Sequence, residues 1–255
     1  MRLYFIRHGQ SENNALWDRT GPREERTPDP ELTELGHEQA RRLARFLADR
    51  QPVDQLSAAG QTEGAGDGLI SPSRRAARSV DGFDLTHLYC SPMIRAIETG
   101  MYVARALGMP LRLWEDVHEV GGIFREDGGM GREIGLPGNE RAYVQARYPE
   151  LVLPDGWGNG GWWNRPFEQR EQRILRAQRF FRELECRHGD SDDRVAVISH
   201  AGFGNYLLVV ALDWPNRGRS GFTLNNASIT RIDFVEHTRV VYTNRTDFLP
   251  QTLIS

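Results

Sequence analysis

A histidine between an arginine and a glycine follows a short apolar segment early in the chain. The apolar residues are 3–6, the next two are Arg7 and His8, and Gly9 supplies a turn. This pattern predicts a β-strand that carries a cation and an imidazole to the carboxyl end of a sheet, where open α/β folds bind their ligands. A guanidinium beside an imidazole suits the binding of phosphate.

A second arginine follows another apolar segment, residues 88–90. Ser91 is predicted to be a helix N-cap and Pro92 the first helical residue, because the missing N–H of proline costs nothing there. Arg95 would then lie in the first helical turn, beside the free N–H groups and the positive dipole end that favour an anion. We expect its guanidinium to contact phosphate oxygens in a bidentate manner.

A third apolar segment, residues 195–198, leads to a histidine. Its continuous apolar character predicts a strand that is buried on both faces, so His200 should emerge at the same edge of the sheet as His8. Residues 205–212 then have the pattern of a buried helix. Two histidines and two arginines are therefore expected to meet in one pocket.

These segments and three others resemble the histidine phosphatase superfamily, also called the phosphoglycerate mutase-like family. The six motifs occur in the family's order and span most of the chain. They are Arg7-His8-Gly9 with Ser11 and Asn14, and residues 32–40, 91–99, 117–119, 199–202 and 226–229. The resemblance implies a three-layer α/β/α sandwich with a largely parallel central sheet. It also implies hydrolysis of a phosphate monoester without a metal ion or another cofactor.

The resemblance further implies a role for each site residue. His8 would be the nucleophile that forms a phosphohistidine, and Glu119 would protonate the leaving group. The remaining site residues would hold the phosphoryl group or contact the substrate. They are Arg7, Arg95, His200, Ser11 and Asn14.

The chemistry of a phosphate monoester agrees with these roles. The ester carries close to two negative charges, so a neutral imidazole avoids the repulsion that an anionic nucleophile would meet. We expect the other ring nitrogen of His8 to donate to a backbone carbonyl in the Gly9 turn, which leaves a lone pair on the attacking nitrogen. His200 is expected to help most as a cation. Burial beside apolar groups is expected to keep Glu119 protonated. The nearest alternative acids are Glu115, Asp116 and His118.

Composition disfavours several other classes of protein. The chain has 255 residues, 39% apolar and 26% charged, and a formal net charge of −3, with no basic block of the kind that binds nucleic acid. All 32 basic residues are arginine, which excludes a lysine nucleophile. Cys90 and Cys186 do not make a disulfide scaffold, and the lack of CxxC and HExxH motifs disfavours zinc. We expect no signal peptide, no membrane contact and a cytoplasmic location; the oligomeric state is left open.

One domain is expected over residues 1–255, and its remaining elements follow from periodicity and capping. The predicted elements are a helix from Thr33 to near Arg50, a helix over 171–187, and paired strands over 228–235 and 239–243. Residues 51–84 are rich in Gly, Ala, Ser and Asp and predict an inserted surface loop, with a regulatory or partner-binding role as the alternative.

Residues 121–170 are expected to form an irregular cap that selects the substrate. The cap interleaves aromatic residues with arginines, and two interpretations remain open. In one, Trp162, Trp163 and Arg165 contact the organic part of the substrate. In the other, the tryptophans close a small core of the cap itself.

The predicted function is hydrolysis of a small phosphorylated metabolite. The alternative enzyme is a cofactor-dependent phosphoglycerate mutase, which returns the phosphoryl group to the substrate instead of to water. Against it, the cap lacks the basic and proline-rich stretch associated with those mutases. A third alternative is a non-catalytic protein that binds phosphorylated ligands, but all four cationic positions and a candidate acid are present, which argues against lost activity.

Overall fold

The computed structural model describes residues 1–21, 26–49, 83–127, 132–157, 160–214 and 221–255. Nearly all of the expected 51–84 insertion lies outside these residues. Six strands form the central sheet, and two others form a separate hairpin. In chain order they are β1 (Arg2–Arg7), β2 (His87–Cys90), β3 (Arg112–Leu113), the hairpin strands β4 (Phe124–Asp127) and β5 (Arg132–Gly135), β6 (Arg194–Ser199), β7 (Ile229–Phe234) and β8 (Thr238–Arg245).

The order of strands across the central sheet is β3-β2-β6-β1-β7-β8. Strands β1, β2, β3 and β6 run parallel, whereas β7 is antiparallel to β1 and β8 is antiparallel to β7. The predicted largely parallel sheet is confirmed. Because β2 and β1 both pair with β6, the carboxyl ends of these three strands lie side by side.

The side chains of β1 alternate between two buried clusters, as the period of a strand requires. Leu3 and Phe5 point into one cluster, and Tyr4 and Ile6 point into the other. A strand that is apolar on both faces needs cover on both faces. The sequence of β1 therefore predicts that the sheet is the central layer, with other elements packed on both of its faces.

Helices supply this cover. Their bounds are α1 (Glu12–Thr20), α2 (Glu34–Ala48), α3 (Ile94–Leu107), α4 (Arg141–Arg147), α5 (Arg170–His188) and α6 (Ala201–Ala211). Helices α2 and α3 pack on the face of Ile6, and α5 and α6 pack on the face of Phe5. The predicted three-layer α/β/α sandwich is confirmed. No helix in the described residues is both long enough and apolar enough to cross a membrane.

Helix α2 begins as the sequence predicts. The Thr33 hydroxyl accepts a hydrogen bond of 3.0 Å from the backbone N–H of Gly36, which satisfies one of the free donors of the first turn. The helix ends at Ala48, close to the expected end near Arg50. The predicted helix over 171–187 is α5, and the predicted C-terminal strand pair is β7 with β8.

Helix α3 begins later than predicted, because Ser91 is not its N-cap. The cap is Met93 and the helix starts at Ile94. The Ser91 hydroxyl instead accepts from the N–H of Met93, only two residues on, and contacts a ring nitrogen of His200 at 2.8 Å. These contacts close a turn before the helix. Arg95 still lies in the first helical turn, as expected.

The region 121–170 is more regular than the predicted irregular cap. It contains the β4–β5 hairpin and the short helix α4. The hairpin is hard to recognise in the sequence because its residues are mostly charged, so it lacks apolar alternation. Its pairs include Arg125 opposite Ile134 and Asp127 opposite Arg132.

Candidate active site

The carboxyl ends of three adjacent strands bring the predicted residues together. His8 follows β1, His200 follows β6, and Arg95 lies just after the turn that follows β2. His8 and Arg95 line a cavity of about 510 Å³, whose lining also includes the predicted Arg7, Ser11, Asn14 and Glu119. His200 is fully buried and lies behind His8. The centroids of the two imidazole rings are 5.0 Å apart.

The hydrogen bonds of His8 define its tautomer. Its Nδ1 lies 2.6 Å from the carbonyl oxygen of Gly9, which can only accept, so Nδ1 carries the proton. The Nε of Arg95 donates to His8 Nε2 at 3.2 Å, so Nε2 presents its lone pair. Burial, followed by the charges of Arg95 and Arg7, lowers the pKa of His8 well below its ordinary value. The ring is therefore neutral near pH 7, with its nucleophilic nitrogen toward the guanidinium.

Arg95 is held by a carboxylate that the sequence analysis missed. Its Nη1 lies 3.6 Å from Oδ1 of Asp29, and its Nη2 donates to the sulfur of Met93 at 3.1 Å. Asp29 also accepts from the N–H of Ile94 and from the side-chain amide of Asn139. Burial raises the pKa of Asp29 to about 7, and the charge of Arg95 opposes this rise. Asp29 thus joins the start of α3 to the region 121–170.

Three side-chain nitrogen atoms around His8 are buried without a hydrogen-bond partner. They are Nε of Arg7, Nη1 of Arg95 and Nδ1 of His200. Arg7 donates through Nη1 to the carbonyl oxygen of Leu224 at 2.6 Å, which fixes its guanidinium and leaves Nε unused. Buried donors without acceptors are costly, so such a cluster marks a place for an anion.

His200 differs from its expected ionisation. The Ser91 hydroxyl accepts from Met93, so its own proton is free to donate to Nε2 of His200. We infer that the proton of the ring is on Nδ1. Burial, followed by the charge of Arg95, lowers the pKa of His200 well below its ordinary value. In this structure it is therefore a neutral donor and not the predicted cation, because the cost of burial and the nearby guanidinium both oppose a charge.

Glu119 lies at the N-terminus of α6, where it accepts backbone N–H groups. Its Oε1 accepts from Val120 at 2.8 Å and from Phe203 at 3.0 Å, and its Oε2 accepts from Gly202 at 3.2 Å. A Cβ atom on Gly202 would lie 2.3 Å from Oε1, so a glycine is required for this approach. Both oxygens act as acceptors, an arrangement that stabilises negative charge at a helix N-terminus.

The alternative acids do not line the catalytic cavity. Asp116 forms a bidentate pair with Arg179, and His118 is buried with its Nδ1 2.8 Å from the carbonyl oxygen of Glu119. Glu115 is also absent from the lining. Glu119 is the predicted acid that the structure places at the cavity.

Ser11 and Asn14 reach the cavity but bond to each other. Ser11 is the N-cap of α1, and its hydroxyl and its N–H both donate to Oδ1 of Asn14. The amide of Asn226 donates to the same oxygen and to the carbonyl oxygen of His8. This network supports the His8 turn from below. Gly9 completes the support by donating to the hydroxyl of Thr99 at 3.0 Å.

The mouth of the cavity carries three residues of the expected cap (Phe124, Arg125 and Phe167) and three that sequence reasoning did not assign to the site. We call them the rim: Trp17, Arg26, Phe124, Arg125, Phe167 and Arg173. Arg26 lies over the ring of Trp17 at 4.4 Å, and Arg173 lies 5.6 Å from the ring of Phe167. One carboxylate, Glu126, also lines the cavity at its mouth.

The tryptophans of region 121–170 belong to a core and not to the cavity. Trp162 and Trp163 are about 5% exposed, and both rings pack on His118. Arg165 lies over the ring of Trp163 at 4.2 Å, and both line a separate cavity of about 430 Å³. The interpretation in which these tryptophans close a core agrees with this packing. The cavity instead receives Phe124, Arg125 and Phe167 from the same region.

Within the described residues, one group of three side chains is arranged so that they could share a metal ion. It consists of His87, His188 and Asp193 and lies away from the catalytic cavity. His8, His200 and Glu119 do not form such a group.

Comparison with solved structures identifies similar folds. A mycobacterial glucosyl-3-phosphoglycerate phosphatase is 21% identical, with 96% of this chain and 99% of that chain covered and a TM-score of 0.54. A phosphoserine phosphatase from Entamoeba histolytica is 19% identical, with 98% and 99% covered and a TM-score of 0.55. Bacillus stearothermophilus YhfR is 18% identical, with 97% and 98% covered and a TM-score of 0.56. At these identities the likeness establishes the fold.

A comparison with curated proteins found no match. The family model for the histidine phosphatase superfamily (branch 1) matches residues 3–61 and 70–246. The match includes every predicted site residue, from Arg7 to His200, and far more than half of the chain. The protein belongs to the histidine phosphatase superfamily, branch 1.

Proposed function

We propose that the protein is a metal-independent phosphomonoesterase that acts on a small phosphorylated metabolite through a phosphohistidine on His8. One observation carries the proposal: the lone pair of His8 Nε2 faces the guanidinium of Arg95 within a cluster of buried donors that have no acceptor. Three such donors match the three equatorial oxygens of a phosphoryl group in the transition state.

In the first step, His8 Nε2 attacks phosphorus and the bond to the ester oxygen breaks. Arg95 must transfer its Nε hydrogen bond from His8 to a phosphoryl oxygen, which frees the nucleophile as the substrate binds. Arg7 and His200 donate to the other oxygens through the groups that lack partners. The proton of His8 Nδ1 remains directed at Gly9, so the positive charge that develops on the ring is stabilised.

Glu119 protonates the departing alkoxide. Because three N–H groups hold it as a carboxylate, it has to gain a proton before the ester bond breaks. A monoanionic phosphate ester, whose second pKa is about 6, brings such a proton into the site. In the second step, water attacks phosphorus and gives a proton to Glu119, and the N–P bond breaks to release neutral His8. Glu119 then returns this proton to the departing inorganic phosphate and is again a carboxylate.

The rim indicates the substrate class. The rim places three arginines and three aromatic rings around the mouth of the cavity, above the proposed phosphate site. Beside the rim, Glu126 is the one carboxylate that opposes the positive charge of these arginines. A phosphate ester with a second anionic group therefore fits better than the phosphate ester of an uncharged sugar. Two of the structural relatives have names or complexes that include a phosphoglycerate group. Phosphorylated hydroxy acids are accordingly the substrates that we expect to react fastest.

The experiment combines a substrate screen with trapping of the intermediate. Phosphoglycerates, phosphoserine, sugar phosphates and nucleotides are compared by phosphate release, and labelled substrate is quenched rapidly. We expect an acid-labile, base-stable label on His8, and loss of label and turnover in His8→Ala. Label on another residue, or turnover in the variant, would overturn the mechanism. Isomerised ester without free phosphate would instead identify a mutase.

A further inference from the structure

A second cluster of reactive side chains lies at the amino edge of the sheet, opposite the catalytic cavity. His87 is the first residue of β2, His188 is the last residue of α5, and Asp193 directly precedes β6. Because β2 and β6 are paired and parallel, their first residues lie next to each other. One nitrogen from each histidine and one carboxylate oxygen lie within 4.8 Å of one another.

The distances suit a single small cation. His188 Nδ1 lies 2.9 Å from Oδ2 of Asp193, and His87 Nδ1 lies 3.6 Å from Oδ1. Ligand atoms around a tetrahedral zinc ion with bonds of about 2.0–2.1 Å are about 3.3 Å apart. The side chains of His87 and Asp193 are 37% and 23% exposed, so a fourth position is open to water.

Neighbouring residues hold the three ligands in place. Tyr89 contacts the other ring nitrogen of His188 at 3.2 Å, and the Thr86 hydroxyl donates to Oδ1 of Asp193 at 3.1 Å. Ser191 donates to the carbonyl oxygen of His188 and accepts from the N–H of Asp193. Outer contacts of this kind orient the ligands of metal sites.

We propose that His87, His188 and Asp193 bind a divalent transition-metal ion, with zinc as the ion that best suits two imidazoles and a carboxylate. The ion takes the place of the hydrogen bond between His188 and Asp193, and the N–H of the imidazole moves to Nε2, where the Tyr89 hydroxyl can accept it. The ion fastens the end of α5 to the starts of β2 and β6 and acts as a structural clasp. His188 and Asp193 are close in the sequence, but His87 precedes them by about a hundred residues, which explains why no zinc motif is visible.

The test is a titration of the metal-free protein with zinc chloride, followed by calorimetry and by the melting temperature. We expect one ion per chain, and a rise in Tm of about 5–10 °C at a zinc concentration of about one hundred times Kd. His87→Gln should weaken binding by at least about 10–100-fold, since loss of even an outer contact has this effect. Because His87 lies at the surface, this variant should fold and keep the activity of the parent protein.

Three further variants make the result specific. His237→Gln removes an exposed histidine from the β7–β8 turn and should leave zinc binding unchanged, and so should His8→Ala. Asp193→Asn should weaken binding as His87→Gln does. The proposal is overturned if the parent protein shows no saturable binding, or if His87→Gln binds normally. It is equally overturned if binding disappears in His8→Ala, because the ion would then occupy the catalytic cavity.

Discussion

In the proposed mechanism, Glu119 gains and loses a proton while three backbone N–H groups hold its side chain. Glu119→Gln keeps the acceptor for Val120 and Phe203 but removes the transferable proton. We expect hydrolysis of an alkyl phosphate to slow about 10²–10⁴-fold, the usual contribution of general acid catalysis. A nitrophenyl phosphate, whose leaving group is stable as an anion, should slow far less. Steady-state rates with both esters measure the difference.

Glu115→Gln is the matched control, because Glu115 lies four residues away and does not line the cavity. It should leave the ratio of the two rates unchanged. Equal slowing of both esters in Glu119→Gln would assign Glu119 a positioning role, and the proton would have to come from another group.

Asp29 gives the site a distinctive response to pH. With its pKa raised to about 7 by burial, the folded protein keeps a proton that the unfolded chain loses near pH 4. The folded state therefore binds more protons between these values, and this group's contribution to stability falls as pH rises from about 4 to 7. Asp29→Asn cannot lose a proton, so its stability relative to the parent protein should increase across this window.

Denaturant unfolding at about pH 5, 6, 7 and 8 measures this difference. The other buried groups are common to both proteins, so the difference isolates Asp29. A difference that is independent of pH would show that Asp29 is ionised throughout, as a permanent partner of Arg95.

At the level of single residues, sequence motifs predicted the side chains that follow strand ends. They did not predict the side chains that hold these residues in position. The positions of His8, Arg95 and His200 follow from strand ends at one edge of a parallel sheet. Asp29 lies in a loop without periodicity, and only the tertiary fold brings it to Arg95. The catalytic roles of the predicted residues stay predictions until kinetics test them.

Different secondary-structure elements contribute the rim residues that we propose contact the substrate. The hairpin strand β4 contributes Phe124 and Arg125, and the segment after α1 contributes Arg26. Arg26→Ala and Arg125→Ala should each lower kcat/KM for a phosphorylated hydroxy acid about tenfold, since a hydrogen bond between charged groups contributes about 1.5–3 kcal/mol. A nitrophenyl phosphate, which lacks the second anion, should react almost normally.

Arg239→Ala is the control, because Arg239 is an exposed arginine of β8. This variant should keep the kcat/KM of the parent protein for both substrates. If the rim variants slow both esters equally, the arginines attract phosphate in general and do not recognise a second anion. Melting temperatures measured in parallel would identify loss of folded protein.

Element boundaries show where sequence patterns fail. The N-cap of α2 was predictable because the Thr33 hydroxyl accepts from the N–H of Gly36, and its second bond, to the side chain of Gln10, leaves this cap bond intact. Serine is also a favoured N-cap residue, but the Ser91 hydroxyl contacts His200, which follows a strand that is distant in the sequence. Likewise, the burial of Trp162 and Trp163 depends on packing against His118, which no local pattern reveals.

For the whole molecule, the two edges of the sheet should respond differently to ligands. Chelation with EDTA should leave the phosphatase rate intact, because the catalytic cavity is built from donors for an anion. Vanadate, a five-coordinate mimic of the phosphoryl group, should inhibit competitively. Assays before and after chelation, with vanadate as a second arm, measure both effects. Loss of activity that zinc or manganese restores would contradict the proposed mechanism.

The pairing of β1 has a consequence for biosynthesis. This apolar strand lies between β6 and β7, so its hydrogen-bond partners are the segments Arg194–Ser199 and Ile229–Phe234. A ribosome that adds about 5–20 residues per second needs roughly 10–40 s to proceed from Arg7 to Arg194. During that interval the nascent chain exposes an unpaired strand that is prone to aggregation. Such long-range pairing also slows folding, so newly made chains should depend on chaperones more than the stability of the finished sheet would suggest.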